Sequence, residues 1–226
     1  MNLLLLGRGK TGSLVAEIAA HRGHHVRVLS AAQNPNASAL TANLLREFDA
    51  VVDFTTPSAV IPNIEVCVRA GKNMLVGTTG WSGEREKVRQ LVEQAGTGFL
   101  YGANFSVGIN LFYEVAREAA AALHHQYSGQ IFERHHLQKK DAPSGTAAEL
   151  QRIIHHASGA EVEITSFREG EVVGMHELIL NSPNDTIYLC HDAKSRRGFA
   201  EGAVKAAEWL DGKTGFFDFR DVWREL

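Results

Sequence analysis

The chain has 226 residues, of which 44% are hydrophobic and 22% charged, and a formal net charge of −3. That length supports one large domain or two small ones with real cores, in the composition range of soluble globular proteins. The charge balance argues against a nucleic-acid or membrane surface as main partner, and no apolar stretch reaches the roughly 20 residues a membrane span needs.

In chain order, residues 3–6 (Leu-Leu-Leu-Leu) form a short apolar run of the kind expected of a strand buried on both faces of a parallel sheet. The run is too short for a signal peptide, so a cytoplasmic location is expected. Gly7-Arg8-Gly9-Lys10-Thr11-Gly12 follows, then a helical stretch and a second strand over residues 25–29. A G-x-G-x-x-G inside a strand–turn–helix unit predicts a dinucleotide cradle: one glycine for the turn, one for close approach of a pyrophosphate, one for helix–strand packing. A phosphate-binding P-loop is excluded because it needs a glycine where Leu4 stands.

After the second strand the sequence reads Leu29-Ser30-Ala31-Ala32-Gln33, without the acid that usually holds a ribose 2′-hydroxyl. With Ser30 as a donor and Arg8 nearby, this tilts the cofactor towards NADPH, or use of both NADPH and NADH. Strand-like runs over residues 50–54, 73–76 and 98–101 alternate with helical segments over 57–70 and 83–95. Ligands bind at the carboxyl ends of such strands, so Gly77, Thr78 and Thr79, and Gly102, Ala103, Asn104 and Phe105, are expected to face the cofactor.

Beyond residue 107 an alanine-rich helix is expected over 110–125 and a strand over 130–134. Strands over 161–168, 172–180 and 186–191 predict a mixed or antiparallel sheet. A helix over 198–210 and a short aromatic tail at 215–219 close the chain. The fold class is α/β: a Rossmann-like, doubly wound nucleotide-binding domain, residues 1–106 and 197–226, with an α+β mixed-sheet domain inserted at 107–196.

The densest chemistry lies between Phe132 and Thr146. His135, His136 and Lys139 precede Pro143-Ser144-Gly145-Thr146 and a helical run over 147–157. Proline suits a first helical turn, and small residues leave N–H groups open to a carboxylate or phosphate. The segment reads as a device that grips an anionic small molecule and protonates it. Four His-His pairs occur among the 11 histidines, so the pair at 135–136 is distinguished only by Lys139 and the Ser-Gly-Thr turn. No H-E-x-x-H or comparable spacing occurs, and Cys67 and Cys190 have no redox or ligand spacing, so no metal is expected. His176 is expected to be a core or sheet histidine.

The chain resembles the dihydrodipicolinate reductase family almost end to end. The resemblance is carried by the glycine loop, Asp53-Phe54-Thr55, Val76-Gly77-Thr78-Thr79-Gly80, Ala103-Asn104-Phe105-Ser106-Val107-Gly108 and the E-x-H-H-x-x-K-x-D-A-P-S-G-T-A block from Glu133 to Ala147. Arg168-x-Gly170, Gly174-x-His176, Ser195-Arg196 and Phe199-Ala200-x-Gly202-Ala203 complete it. The glycine loop is a residue shorter than in many members, the acid after the second strand is missing, and segments 30–48 and 150–166 are short.

The resemblance implies NAD(P)H-dependent reduction of 4-hydroxy-tetrahydrodipicolinate, a cyclic dicarboxylate, in diaminopimelate and lysine synthesis. Loss of water from this substrate gives a conjugated dihydropyridine, hydride adds at ring C4, and C3 then takes a proton. It implies His135 as proton donor with Lys139 as its partner and His136 as a substrate ligand. Ser144, Gly145 and Thr146 would hold one carboxylate, with Arg196 as a further cation. It also implies that the mixed sheet builds a homotetramer and that residues 199–226 return to the nucleotide domain. Two other readings compete: another NAD(P)-dependent dehydrogenase of the same two-domain plan, acting on an amino acid or sugar, and, from another class, a nucleotide sensor without catalysis. The first has no need of the His-His-x-x-Lys block before Pro-Ser-Gly-Thr, and the second would be expected to have lost His135 or Lys139.

Overall fold

The computed structural model describes residues 1–226, which divide into two compact units: Met1–Val107 with Arg197–Leu226, and Gly108–Arg196. The first unit opens with β1 (Asn2–Leu6), α1 (Lys10–His21), β2 (His25–Leu29) and the short α2 (Ala42–Leu45). β3 (Ala50–Asp53), α3 (Pro57–Arg69), β4 (Asn73–Val76), α4 (Arg85–Ala95) and β5 (Gly98–Tyr101) follow. The second unit contains nearly all of α5 (Val107–Ala119), then β6 (Ser128–His135), α6 (Gly145–Ser158), β7 (Glu163–Arg168), β8 (Met175–Asn181) and β9 (Thr186–Asp192). The chain closes in the first unit with α7 (Arg197–Trp209), β10 (Gly215–Asp218) and α8 (Phe219–Val222).

In the first unit all six strands are parallel, in the order β10-β5-β4-β3-β1-β2. The leucine run of β1 shows why. Strand side chains alternate faces, so Leu3 and Leu5 pack with α1 and α7, while Leu4 and Leu6 pack with α3 and α4. All four are at most 1% exposed, and helices on both faces are what a continuous apolar strand requires. Strand order reverses between β1 and β3, which puts the glycine loop after β1 beside the loop after β3. Phe54 N donates to Leu6 O at 2.8 Å, and Gly7 N to Leu29 O at 2.9 Å. The aromatic tail adds a strand rather than a loose end: β10 pairs with β5, and Phe216 stacks on Phe99 at 5.2 Å between centroids.

The second unit carries a mixed sheet in the order β7-β6-β8-β9, with β6 parallel to β7 and antiparallel to β8. Ile131, Leu178 and Leu180 face a core completed by α5 and α6. Three of the differences from expectation have a visible local cause. The alanine-rich helix begins at Val107, where Asn104 Oδ1 accepts from Ser106 N and turns the chain into it, and ends as a 3-10 turn, Ala120–His124. The strand expected from residue 172 starts at Met175, because residues 169–174 turn around His135: Glu169 N donates to His135 O, and Leu137 N to Gly170 O. Pro143, joined to Ala142 by a cis peptide, stands before the helix cap rather than in the first turn. α6 begins at Gly145 with Ser144 as its cap, whose Oγ accepts from Ala147 N at 3.2 Å.

Candidate active site

Alternation along β6 turns Ile131, Glu133 and His135 to the covered face of the sheet. Glu133 is fully buried, yet ionisable, so its charge must be met locally. Oε1 accepts from Ser166 Oγ at 2.6 Å and from the Arg168 guanidinium at 3.0 Å, and Ser144 N reaches both oxygens at 3.1 and 3.2 Å. The register explains the gathering: Ser166, Glu133, His176 and His191 are successive cross-strand partners through β7, β6, β8 and β9. His135 Nδ1 lies 3.4 Å and His176 Nε2 3.8 Å from Glu133 Oε2, and Ser144 Oγ lies 3.2 Å from His176 Nε2. The rings of His135 and His176 meet edge to face at 5.1 Å.

Burial alone would raise the Glu133 carboxyl; the donors Ser144, Ser166 and Arg168 overcome it and hold the group down at about 2. The histidines move the other way from their usual role as cations. Burial, then Lys139 and Arg168, outweigh the pull of Glu133 and bring His135 down to about 4. Burial and the neighbouring His135 bring His176 down to about 3. Both rings are therefore neutral at pH 7, and the short approaches to Glu133 are not ion pairs there. Ligand-type atoms of Glu133, His135 and His176 fall within 4.8 Å of one another, a convergence that sequence spacing did not reveal. Since Arg168 already meets the charge of Glu133, and both of its oxygens accept donors, the cluster works as a hydrogen-bond hub.

Between His135 and α6 the chain turns tightly, with Lys139 N donating to His136 O. Lys139 Nζ bonds both oxygens of Asp141 at 2.9 Å, and Arg168 donates to Asp141 O at 2.5 Å, so both cations border one turn. His136 is half-buried, and Gly145 is exposed. Ser144 is buried at 2% exposure, its N–H on Glu133 and its Oγ on the cap and His176. Of the three residues expected to hold a carboxylate, Ser144 is thus engaged within the protein, and the first-turn groups of Gly145 and Thr146 are the ones open to a ligand. Glu133, Ser166, Arg168 and His176 are members the sequence reading assigned no role. The signal for Glu133 was there: a carboxylate at even spacing from the apolar Ile131 and from His135 on a strand must point inward.

In the first unit the predicted cofactor residues lie at the carboxyl ends of β1, β2, β4 and β5. Gly7 has φ +99° and its absent Cβ would stand 2.2 Å from Phe54 O; at Gly12 a Cβ would stand 2.6 Å from Gly7 O. Gly9 differs, for a Cβ there meets nothing within 4 Å. It precedes α1 without a side-chain cap, and Arg8, Gly9 and Lys10 are exposed. An open, uncapped helix N-terminus with Thr11 in its first turn suits the pyrophosphate of a dinucleotide. Ser30 donates through both N and Oγ to Gln33 Oε1 at 2.9 Å, so its hydroxyl is already engaged. Thr78 is buried and donates to Asp53 Oδ1 at 2.7 Å, whereas Thr79 is exposed. Asp53 also accepts from Thr55 and Asn63, which ties the loops after β3 and β4 together. A Cβ at Gly77 would strike the Phe54 ring, and one at Gly102 would lie 2.9 Å from Phe219. Ala103 is exposed, Asn104 closes its turn, and Phe105 is a core residue packed on Phe219 at 4.8 Å.

Comparison with known proteins agrees across the chain. The family model for the N-terminus of dihydrodipicolinate reductase matches residues 1–105, and that for its C-terminus matches residues 108–223. A 4-hydroxy-tetrahydrodipicolinate reductase of Christiangramia forsetii is 37% identical over 242 residues, covering 100% of this chain and 99% of the relative. A dipicolinate-bound dihydrodipicolinate reductase from Paenisporosarcina sp. TG-14 shares the fold with a TM-score of 0.79 at 22% identity, over 98% of this chain and 99% of that one. A probable dehydrogenase from Thermotoga maritima shares it more loosely, with a TM-score of 0.64 at 9% identity over 99% and 93% of the two chains. The glycine-loop unit and the histidine-bearing unit are each matched by their own half of one family, and the chain belongs to it: the dihydrodipicolinate reductases, NAD(P)H-dependent oxidoreductases of diaminopimelate and lysine biosynthesis.

Proposed function

We propose the following division of labour for the reduction of 4-hydroxy-tetrahydrodipicolinate. The unit Met1–Val107 with Arg197–Leu226 holds NADPH or NADH on the first turn of α1, through Gly9, Lys10 and Thr11, with Arg8, Thr79 and Ala103 bordering it. When bound, the reduced nicotinamide supplies the hydride. Absence of an acid after β2 and the exposed charge of Arg8 favour NADPH, with NADH also accepted.

The unit Gly108–Arg196 holds the substrate. One carboxylate rests on the N–H groups of Gly145 and Thr146 and the Thr146 hydroxyl, with the α6 dipole behind them. Lys139 leaves its pairing with Asp141 to face the anion and assists loss of water; His136 and Arg196 border the ring. His135 gives the proton to C3. Its ring is neutral at pH 7 in the free site because burial and two cations hold it down. A dianionic substrate reverses that balance and raises the proton affinity of the ring where the proton is needed. The observation that carries this reading is the placing of His135, Lys139 and the first turn of α6 around one buried carboxylate, Glu133, which itself holds the α6 cap residue Ser144.

The open face of the mixed sheet supports an assembly. Helices cover the face of Ile131 and Leu178; Phe132, Phe167 and Tyr188 lie on the other, with Phe167 41% and Tyr188 64% exposed. We assign that face to contacts between copies of this chain, in a homotetramer located in the cytoplasm. No helix is long and apolar enough to cross a membrane.

The test is oxidation of NADPH and of NADH, followed at 340 nm, with substrate generated in place from pyruvate and aspartate semialdehyde by a synthase. Substrate-dependent oxidation that disappears in Lys139→Ala is expected. A folded protein that binds either cofactor but oxidises neither would overturn the assignment.

A further inference from the structure

Glu133 occupies a position that neither the proton donor nor the anion seat explains alone. One oxygen, Oε1, takes Ser166 and Arg168; the other, Oε2, has a free side towards two imidazoles; and Ser144 N–H straddles both. Ser144 is the residue that starts α6, so the carboxylate fixes the helix terminus against the sheet. His135 Nδ1 is buried and has no hydrogen-bond partner, although it lies 3.4 Å from Oε2. A buried ring nitrogen beside a fully buried carboxylate, short of alignment, is a contact that a small rotation of the ring would complete.

We propose that Glu133 is a positioning residue that couples the proton donor to the anion seat: one carboxylate sets the α6 cap, orients His135 through Nδ1, and supplies the negative charge that keeps the ring able to carry a proton. The proposal rests on the reading of His135 as proton donor. A proton on Nδ1, held towards Oε2, leaves Nε2 as the working nitrogen of the ring. Gly174 supports this placement, since a Cβ there would come within 3.0 Å of His135 Nε2; the missing side chain keeps that edge of the ring clear.

The charges acting on His135 come from every neighbouring segment. Glu133 on β6 and Asp141 in the turn raise its proton affinity; Lys139 in the same turn and Arg168 on β7 lower it. His176 on β8, neutral at pH 7, faces it edge-on. Glu133 is the closest anion and Arg168 the cation bonded to it, so the two should tune His135 in opposite senses.

The experiment compares E133Q, E133D and R168Q with the unaltered protein. It reads kcat and KM across pH, the NMR titration of the His135 imidazole, melting temperature, and cofactor binding. Glutamine keeps an acceptor for Ser144 N–H but removes the charge. E133Q should therefore lower kcat at least about tenfold with a smaller change in KM. It should also move the His135 titration, and the pH at which turnover falls, lower by about one unit. R168Q should move both higher, and E133D should recover part of the kcat loss. Shifts in the same direction for E133Q and R168Q, or lost turnover with an unmoved titration and pH profile, would show packing alone and overturn the proposal. If E133Q does not fold, R168Q together with Ser166→Ala decides it, since S166A weakens the hold on Oε1 without changing charge and should leave the titration near that of the unaltered protein. An unaltered protein without reductase turnover would sink the reaction reading, while the imidazole titrations would still decide on Glu133.

Discussion

In the first unit the turns proposed to face the cofactor are made by leaving side chains out; in the second the proposed working groups are held in place by burying charge. Gly7 and Gly12 are places where any Cβ would strike backbone oxygen, and Gly9 is open space over an uncapped helix. Glu133, by contrast, is a carboxylate at 0% exposure with three donors and two imidazole rings around it. A backbone cradle is indifferent to pH and intolerant of volume. A buried polar hub responds to every change of charge. The two units should therefore fail in different ways.

The largest separation is expected from the proposed proton donor. His135→Asn should reduce kcat by about 10²-fold or more, the span of general acid catalysis, with cofactor binding unchanged. Stopped-flow turnover beside cofactor fluorescence titration reads both. Lost cofactor binding in the same variant would show that the units are not separable in this way.

Next is the contrast within the glycine loop. Gly7→Ala combines a 2.2 Å clash with φ +99°, and the backbone strain alone is worth on the order of 1–3 kcal/mol. Its melting temperature should drop well below that of Gly9→Ala, which adds a methyl into open space and should fold normally but bind dinucleotide more weakly. Equal melting temperatures for the two would contradict the assignment of turn and cradle to different glycines.

Acid should find the second unit first. His135 and His176, held at about 4 and about 3, bind fewer protons folded than unfolded, so their contribution to stability is lost as pH falls from about 6.5 towards those values. Glu133, held at about 2, adds a loss of the same sign below its unfolded value of about 4.3. Melting temperature should fall steadily from pH 7 to pH 4, and hydrogen exchange over β6 and β8 should rise before that over β1 and β3. Exchange that rises first in β1 would reverse the ranking of the two units.

How far the sequence discloses this arrangement differs between the units for a physical reason. The four leucines of β1 and the glycines after it are local signals, read from neighbours a few residues apart, and they suffice to place a doubly wound sheet with a turn at the switch point. The tail at Gly215–Asp218 reads locally only as aromatic; its pairing with β5 depends on residues more than a hundred positions away. The hub is of the second kind. His135, Lys139 and the Ser-Gly-Thr turn are contiguous enough to be legible, but Ser166, Arg168 and His176 join them only through the register of β7 and β8 on β6. His176 reads correctly as a buried sheet histidine, yet its contact with the Ser144 hydroxyl is a product of pairing that no spacing encodes. The same pairing takes Ser144 out of solvent and narrows the proposed anion seat to Gly145 and Thr146.

The smallest effect sharpens the comparison from the nucleotide side, because it asks whether charge matters at all in a cradle built of backbone. Ser30 follows β2 with N and Oγ both on Gln33 Oε1, so the turn there is neutral and closed on itself. Ser30→Asp keeps the backbone donor and places an anion where a 2′-phosphate would lie; Gln33 can answer by turning its amide so that NH₂ rather than Oε1 faces the new carboxylate. Like-charge repulsion near a surface is worth about 1–2 kcal/mol, or roughly tenfold in affinity. The ratio of kcat/KM for NADPH to that for NADH should therefore fall by about tenfold, through KM for NADPH, with KM for NADH held or improved. Raised salt should shrink the difference, since the site is exposed and its field is screened. An unchanged ratio would place the discriminating contact elsewhere, with exposed Arg8 the first residue to replace. A ratio altered through kcat instead would mean that the end of β2 governs how the cofactor is presented rather than how tightly it is held.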